Sequence, residues 1–400
     1  MKLIAYIKKN GILYALKILY EYKLDKIIRA MMDPVLKNRP LKNIIVIESH
    51  NDFDCNGGAF YQYLISHNYN SKYKIVWLLK NYRRNIELPH NVTCVPLLKP
   101  SIRKDYYICM AKIITTDNNI VKKARGDQKE YYFTHGGVSL KNVKGVCNIP
   151  DYVDYILMSS ESYAPIQVKQ WQLPYPSERL IYFGYPVHDV LNSAHPHELK
   201  KITKKHYNKI ILWMPTFRRG GGHNRNDSYK KQPLGIPLIE NEIQLKELNA
   251  HLSRLDVLLI IKLHPMQDLT GISISNKPNI TVLTGQDVKR LEIDNYRLLG
   301  CTDALISDYS SIAYDYLQLN KPIGYVLDDI NEYKLGFVVD DIHTLMAGHE
   351  IYTLDDLKKY ICDVVNENDV YMDRRKDMLQ YIYKYNDTDN CKRIVEFMKL

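Results

Sequence analysis

Lys209-Ile210-Ile211-Leu212-Trp213-Met214-Pro215-Thr216-Phe217-Arg218 reads as a strand that runs into a polar, basic loop. This short apolar run restarts a pattern that an earlier part of the chain has already completed once. Immediately upstream, residues 193–209 are polar and rich in Lys and His, with the composition of a linker. Before the linker, strand-like runs occupy 43–48, 73–79, 112–117, 131–135, 154–159 and 179–184, with a helical stretch at 58–67. After it come strand-like runs at 257–263, 280–283 and 304–307, and helical patterns from Thr353 onward. Strand–helix alternation on both sides of one linker predicts an α/β protein with two doubly wound, Rossmann-like domains. Their expected bounds are 39–195 and 205–385, followed by a C-terminal helix at 386–400. Ligands of such sheets sit beyond the carboxyl ends of the strands, so the cleft between the domains is the expected site.

The bulk properties agree with a globular protein. The chain has 400 residues, 46% hydrophobic and 25% charged, enough for two domains with real cores. Its 33 tyrosines and wealth of Lys, Ile and Asn point to an AT-rich genome rather than to chemistry. A formal charge of +10 implies an anionic partner: nucleic acid, anionic lipid, an anionic polymer or a nucleotide donor. No nucleic-acid motif is present, and the basic residues are spread rather than striped. The seven cysteines are scattered without a CxxC pair, which argues against a zinc site and for reduced thiols.

Residues 1–38 form a basic leader. Ile4, Ile7, Gly11, Ala15, Ile18 and Tyr22 recur at helical spacing, and over residues 1–32 seven basic side chains oppose Glu21 and Asp25. Charges interrupt every apolar run before it reaches the roughly 18–20 residues of a spanning helix. No signal-peptide pattern follows. A basic amphipathic helix on an anionic leaflet fits, and so does a helix packed on the body of the protein.

Four polar clusters follow predicted strands and therefore fall on the cleft side. Thr134-His135-Gly136-Gly137 offers a proton acceptor beside backbone that a ligand can approach closely. Met214-Pro215-Thr216-Phe217-Arg218-Arg219 offers forked guanidinium donors. In Lys262-Leu263-His264-Pro265, strand alternation puts Lys262 and His264 on one side. Ser307-Asp308-Tyr309-Ser310-Ser311 reads as a strand end and a serine N-cap before a helix over Ile312 to Leu317, a ready phosphate site.

Taken in order, these clusters resemble the CDP-glycerol glycerophosphotransferases, a family that includes teichoic acid polymerases and related capsule enzymes. The matching stretches are His135-Gly136-Gly137, Gly184-Tyr185-Pro186, Met214 to Arg218, Lys262 to Pro265, Asp303 to Ser311 with Lys321-Pro322, and Tyr333 with Gly336-Phe337. The resemblance covers roughly residues 40 to 370. The chain departs from the family at Gly137, usually Thr. It departs again at Val187-His188, where the family usually has Arg-Asn before the Asp, and at Ala347-Gly348-His349.

The resemblance implies the two-domain fold of glycosyltransferase-B enzymes and a definite reaction. A hydroxyl of a lipid-linked teichoic acid or capsule polymer attacks the β-phosphorus of CDP-glycerol or CDP-ribitol, and CMP leaves. It implies His135 as general base on that hydroxyl, with Gly136 and Gly137 allowing close backbone approach. His264 and Lys262 would face the pyrophosphate. Ser310 and Ser311 would hold a phosphate, Thr216 and Arg218 would add donors, and Asp308 would orient its neighbours. No acidic pair has the spacing of a dedicated metal site, and whether a divalent metal is required stays open. The implied location is the cytoplasmic face of the cell membrane, peripherally held. A nucleotide-sugar glycosyltransferase of the same fold, in surface polysaccharide synthesis, is the alternative.

Overall fold

A computed structural model describes residues 7, 11–82, 86–134, 138–145, 148–193, 195–220, 225–230, 232–270 and 274–400. Helix α1 (Ile12–Leu36) leads into the first sheet. That sheet and its helices comprise β1 (Lys42–Glu48), α2 (Cys55–Ser66), β2 (Lys74–Leu79), β3 (Val92–Pro96), α3 (Ile102–Met110), β4 (Ala111–Thr116), β5 (Lys129–Tyr132), β6 (Tyr155–Leu157), α4 (Ala164–Trp171) and β7 (Leu180–Ile181). Two short helices, α5 (Pro186–Leu191) and α6 (His197–Lys200), cross to the second half. There the chain forms β8 (Lys209–Trp213), a small ribbon of β9 (Arg219–Gly220) and β10 (Arg225–Asn226), α7 (Glu242–Arg254), β11 (Val257–Lys262) and β12 (Ile280–Leu283). It continues with α8 (Gly285–Arg290), α9 (Asn295–Gly300), β13 (Ala304–Ser307), α10 (Ile312–Leu317), β14 (Ile323–Val326) and β15 (His349–Ile351). Helices α11 (Leu354–Val365), α12 (Met372–Ile382) and α13 (Asn390–Met398) close the chain.

Both large sheets are parallel, ordered β3-β2-β1-β4-β5-β6-β7 and β12-β11-β8-β13-β14-β15. In each, the strand order reverses beside the first strand, so a switch point lies between β1 and β4 and another between β8 and β13. The expected α/β architecture with two doubly wound sheets is therefore present. The reason is legible in the strands. Ile45 and Ile47 of β1 enter one core cluster with Phe60 and Leu64 of α2. Ile44 and Val46, on the opposite face, pack with Tyr107 and Ile108 of α3. A strand covered on both faces must be apolar at every position, which is why these runs do not alternate. Truncating one such residue, as in Ile45→Ala, costs about 2–5 kcal/mol.

The sequence reading missed β3, β14, β15 and the two-residue strands β9 and β10. β15 has only three residues and contains His349 and Glu350, so it carries almost no apolar signal. β14 is interrupted by Gly324, whose missing side chain lets Tyr360 and Ile351 pack against the backbone. The strand read at 131–135 ends at Tyr132, and β11 ends at Lys262.

The last segment returns to the first half. The Lys384 N–H donates to the Ser159 carbonyl at 3.1 Å. Phe397 of α13 packs edge-on against Tyr155, with centroids 5.0 Å apart. Asp189 accepts from the backbone N–H of Asn390 (3.0 Å) and of Cys391 (2.8 Å), capping α13 from α5. Gly184 makes this junction possible. Its φ is +78°, and a Cβ there would stand 1.8 Å from the Asn390 Oδ1.

Residues 12–36 of the leader form helix α1. Its C-terminal half packs on α3, through Asp25 to Lys104 at 2.6 Å and the Cys109 thiol to Asp33 at 3.1 Å. Its N-terminal half exposes Ile12, Leu13, Leu16 and Tyr20. Among the described residues, no helix is long and apolar enough to cross a membrane.

Candidate active site

The carboxyl ends of the strands at the two switch points come near one another: the charge of Asp54, after β1, acts on Lys262 of β11, and those of His50 and Lys141 act on His264. On the first side, β1 ends in Glu48-Ser49-His50 and β4 in Asp117. Both carboxylates are buried and serve the loops. Glu48 accepts from the N–H of Asn118 (3.2 Å) and of Asn119 (2.9 Å), and Asp117 from those of His50 (2.5 Å) and Gly57 (3.0 Å). Gly57 and Gly58 start α2 against this loop, where a Cβ on Gly58 would meet the Phe53 carbonyl at 2.5 Å. Asn56 joins three segments. Its amide donates to the Phe133 and Thr134 carbonyls (3.1 Å each), and its oxygen accepts from the Val187 N–H at 3.2 Å. Thr134 sits at φ +65°, a conformation that costs a non-glycine residue about 1–3 kcal/mol and tends to mark functional turns. His135, Gly136 and Gly137 follow it directly and lie outside the described residues.

On the second side, Arg218 is 3% exposed and bound on every side. Its Nε and Nη2 donate to Asp329 (2.6 and 3.0 Å), and its Nη1 to Asp308 (2.8 Å) and to the Thr216 carbonyl (3.1 Å). Asp308 also accepts the Thr216 N–H at 2.9 Å and its hydroxyl. Tyr309 donates to Asp329 at 3.0 Å, and the Tyr309 and Tyr333 rings cover the guanidinium. Thr216, Arg218 and Asp308 are thus brought together beneath the cleft, bonded to each other. The sequence reading had Arg218 as a cleft donor; here four of its N–H groups are directed at protein partners.

Lys262 and His264 stand above this floor. Lys262 is 5% exposed, and β11 lies inside the sheet between β12 and β8 rather than at its edge. Burial pushes its ammonium down to about 8, opposed by Asp54 from the first half. His264 lies beyond the strand end, open to solvent at the cleft mouth, with its ring 4.8 Å from that of Phe217. Neighbouring protein removes part of the hydration of the imidazole, and Lys141 and then Lys262 repel a proton; together they lower its pKa to about 4. Its Nδ1 accepts the Met266 N–H at 3.1 Å. The neutral ring therefore carries its hydrogen on Nε2, leaving a donor there.

Lys141 arrives from the first half by direct pairing with the second. Lys141 and Phe337 form an antiparallel bridge, flanked by Asn142 N–H to Gly336 O and Val338 N–H to Leu140 O, each 3.0 Å. This segment follows residues 135–137 closely in the sequence.

Ser310 and Ser311 are half-buried at the start of α10. Ser311 occupies the N-cap position but makes no capping bond, contrary to the expected serine cap; Ser310 Oγ instead meets the Ile312 N–H at 3.5 Å. Lys321 does not reach the cleft region: its ammonium binds the carbonyls of Gly300 (3.2 Å) and Thr302 (2.7 Å). Sequence reasoning missed His50, Asp54 and Lys141, which reach the site only through domain packing. The polar run from Ser49 to Asp54 after the first strand was the available signal. Among the described residues, no group of three His, Cys, Asp or Glu side chains is placed to hold a metal ion.

Comparison with known proteins agrees with this geometry. The wall teichoic acid polymerase TagF has the same fold, with a TM-score of 0.73 at 20% identity over 97% of this chain and 96% of that one. The teichoic acid glycerol-phosphate primase of Bacillus subtilis (strain 168) is 26% identical over 326 residues, which cover 74% of this chain and 76% of that protein. The teichoic acid ribitol-phosphate primase of Bacillus spizizenii is 22% identical over 284 residues, 70% of this chain and 64% of that protein. The chain spans only 41% of the teichoic acid poly(glycerol phosphate) polymerase of Staphylococcus epidermidis, at 25% identity. The family model described as CDP-Glycerol:Poly(glycerophosphate) glycerophosphotransferase matches residues 31–400, and this chain belongs to that family.

Proposed function

We propose that this chain transfers a polyol phosphate, glycerol phosphate foremost, from a CDP-polyol to a hydroxyl of a lipid-linked teichoic acid or capsule polymer, releasing CMP. The observation that carries the reading is that Lys262, His264, Ser310 and Ser311 stand at or just beyond the carboxyl ends of β11 and β13, the strands that flank β8 at the switch point of the second sheet. Opposite them lie the Asn56-anchored Thr134 turn and Lys141. Relatives named for glycerol phosphate and for ribitol phosphate support CDP-glycerol and CDP-ribitol as donors.

Phosphoryl transfer needs alignment and charge neutralisation more than covalent catalysis. In this reading Lys262 supplies the buried cation for the pyrophosphate. Neutral His264 donates from Nε2 to an oxygen that gains charge. Ser310 and Ser311 contribute hydroxyl donors. His135, which follows the strained Thr134 in the sequence, takes the proton of the attacking hydroxyl. Arg218, Thr216 and Asp308 act beneath them as positioning residues that fix the 308–311 segment.

The acceptor's lipid places the enzyme at the cytoplasmic face of the membrane. The exposed Leu13, Leu16 and Tyr20 beside Lys17, Lys23 and Lys26 suit an anionic leaflet. Deleting residues 1–32 should release the protein from vesicles containing phosphatidylglycerol; retention at ordinary salt would remove the helix from this role.

The function is tested by CMP release. Purified protein with CDP-glycerol or CDP-ribitol and a lipid-linked acceptor should yield acceptor-dependent CMP from one donor, lost in His135→Ala. No CMP from either donor, with turnover of a nucleotide sugar instead, would overturn the proposal.

A further inference from the structure

The two halves meet again behind the cleft, around a single buried carboxylate. Asp315 lies on α10, and its side chain is 1% exposed. It collects hydrogen bonds from three other elements. The His188 Nε2–H of α5 reaches its Oδ1 at 2.9 Å, Tyr383 beyond α12 reaches the same oxygen at 3.2 Å, and Tyr296 of α9 reaches Oδ2 at 3.2 Å. His188 is the donor that comes from the first half of the chain. Its ring is also 1% exposed, wedged edge-on between Tyr185 (5.7 Å) and Tyr383 (4.8 Å). A carboxylate has no hydrogen to give, so Nε2 must carry one here.

We propose that His188 is a positioning residue for the donor, acting through Asp315 on the Ser310–Ser311 segment; this rests on the phosphate-holding role proposed above for those serines. The path is short. The Asp315 and Tyr314 N–H groups bond the Ser311 carbonyl (3.3 and 3.0 Å), and the Ala313 N–H bonds that of Ser310 (3.3 Å). Asp315 and the serines therefore move as one turn of helix. Its depth in the cleft, relative to the first half, is set where Asp315 meets His188. The neighbouring Asp189 has a separate task, capping α13.

The test is the donor KM of the full chain. His188→Leu keeps bulk and removes the bond; it should raise the KM for CDP-glycerol or CDP-ribitol by roughly 10- to 100-fold, as misplacement near 1 Å does in such sites. The acceptor KM should change little. His188→Gln puts an amide N–H at about the reach of Nε2 and should restore most of the donor KM. In a Ser310→Ala/Ser311→Ala background, His188→Leu should add little further effect. A merely structural role would lower the melting temperature of Leu and Gln variants alike and leave donor KM unchanged, which overturns the inference. So would additive effects of His188→Leu and the serine pair. If the serine pair alone leaves donor KM unchanged, the phosphate role of Ser310 and Ser311 fails instead.

Discussion

Replacing Arg218 with Met should destabilise the second domain severely, and the penalty should shrink in acid. Arg218 is 3% exposed, between Asp308 and Asp329 with side-chain exposures of 1% and 0%. Removing one partner of a buried ion pair leaves an uncompensated charge and costs about 3–5 kcal/mol. Domains are stable by only about 5–15 kcal/mol, so much of the margin would go. The sign with pH follows from the carboxylates. Burial alone would raise the Asp329 carboxyl, but the bonds and charge of Arg218 outweigh it and hold it below its ordinary value of 3.8. In the wild type this stabilisation is complete above the unfolded value and drains only as pH falls through the lower folded one. Without Arg218, burial prevails and the folded value rises above the unfolded one. The variant then gains stability as pH falls. Urea unfolding followed by circular dichroism should show a gap of about 3–5 kcal/mol at pH 7.5, smaller at pH 5. Arg218→Met with Asp308→Asn and Asp329→Asn should recover most of it, because no charge is left stranded. A gap under about 1 kcal/mol at pH 7.5, or one that does not change with pH, would refute the reasoning.

Lys262 sits at about 8, so kcat/KM for the CDP-polyol should decline as pH rises through that value, and the decline should be missing in Lys262→Met. In the same window, from about 8 up to the unfolded 10.5, the unfolded chain binds more protons, so stability should rise with pH. His264, held at about 4, should contribute no inflection between pH 5 and 7. His264→Ala should lower kcat by about 10²–10³, and His264→Gln, which keeps a donor near the Nε2 position, should lose less; equal losses would remove the donor role. Gly184→Ala should lower the melting temperature by straining a φ of +78° and driving a Cβ to 1.8 Å from the Asn390 oxygen. Adding Asn390→Ala should recover the part due to the clash.

The sequence revealed what local order can carry. Apolar runs such as Ile44 to Ile47 and Leu258 to Ile261 identify doubly covered strands, and the polar residues that follow them mark the cleft side. Strands whose residues do not alternate or cluster, such as His349–Ile351, left no mark. Partners far apart in the chain were also invisible. Arg218 looks like a phosphate clamp until Asp329, 111 residues away, is placed against it. Lys141 enters the site because its segment pairs with Phe337 across the domain boundary, a contact no periodicity encodes.

These placements divide the family's motif residues into two kinds with different consequences for specificity. Gly184, Arg218, Asp308 and Lys321 make their bonds or close contacts within the protein; changing them perturbs the scaffold whichever polyol is carried. In the proposed reading Lys262 and the His264 Nε2–H meet the pyrophosphate, a feature common to every CDP-polyol. Neither kind can distinguish glycerol from ribitol. Discrimination therefore falls to residues near the attacking hydroxyl and the polyol chain. Those that arrive from the first half are the Thr134 turn, His50, Asp54 and Lys141. Exchanging these residues between glycerol- and ribitol-phosphate relatives should shift the ratio of kcat/KM for CDP-glycerol to that for CDP-ribitol. Exchanging residues of the Arg218 network should change both rates in parallel and leave that ratio where it was.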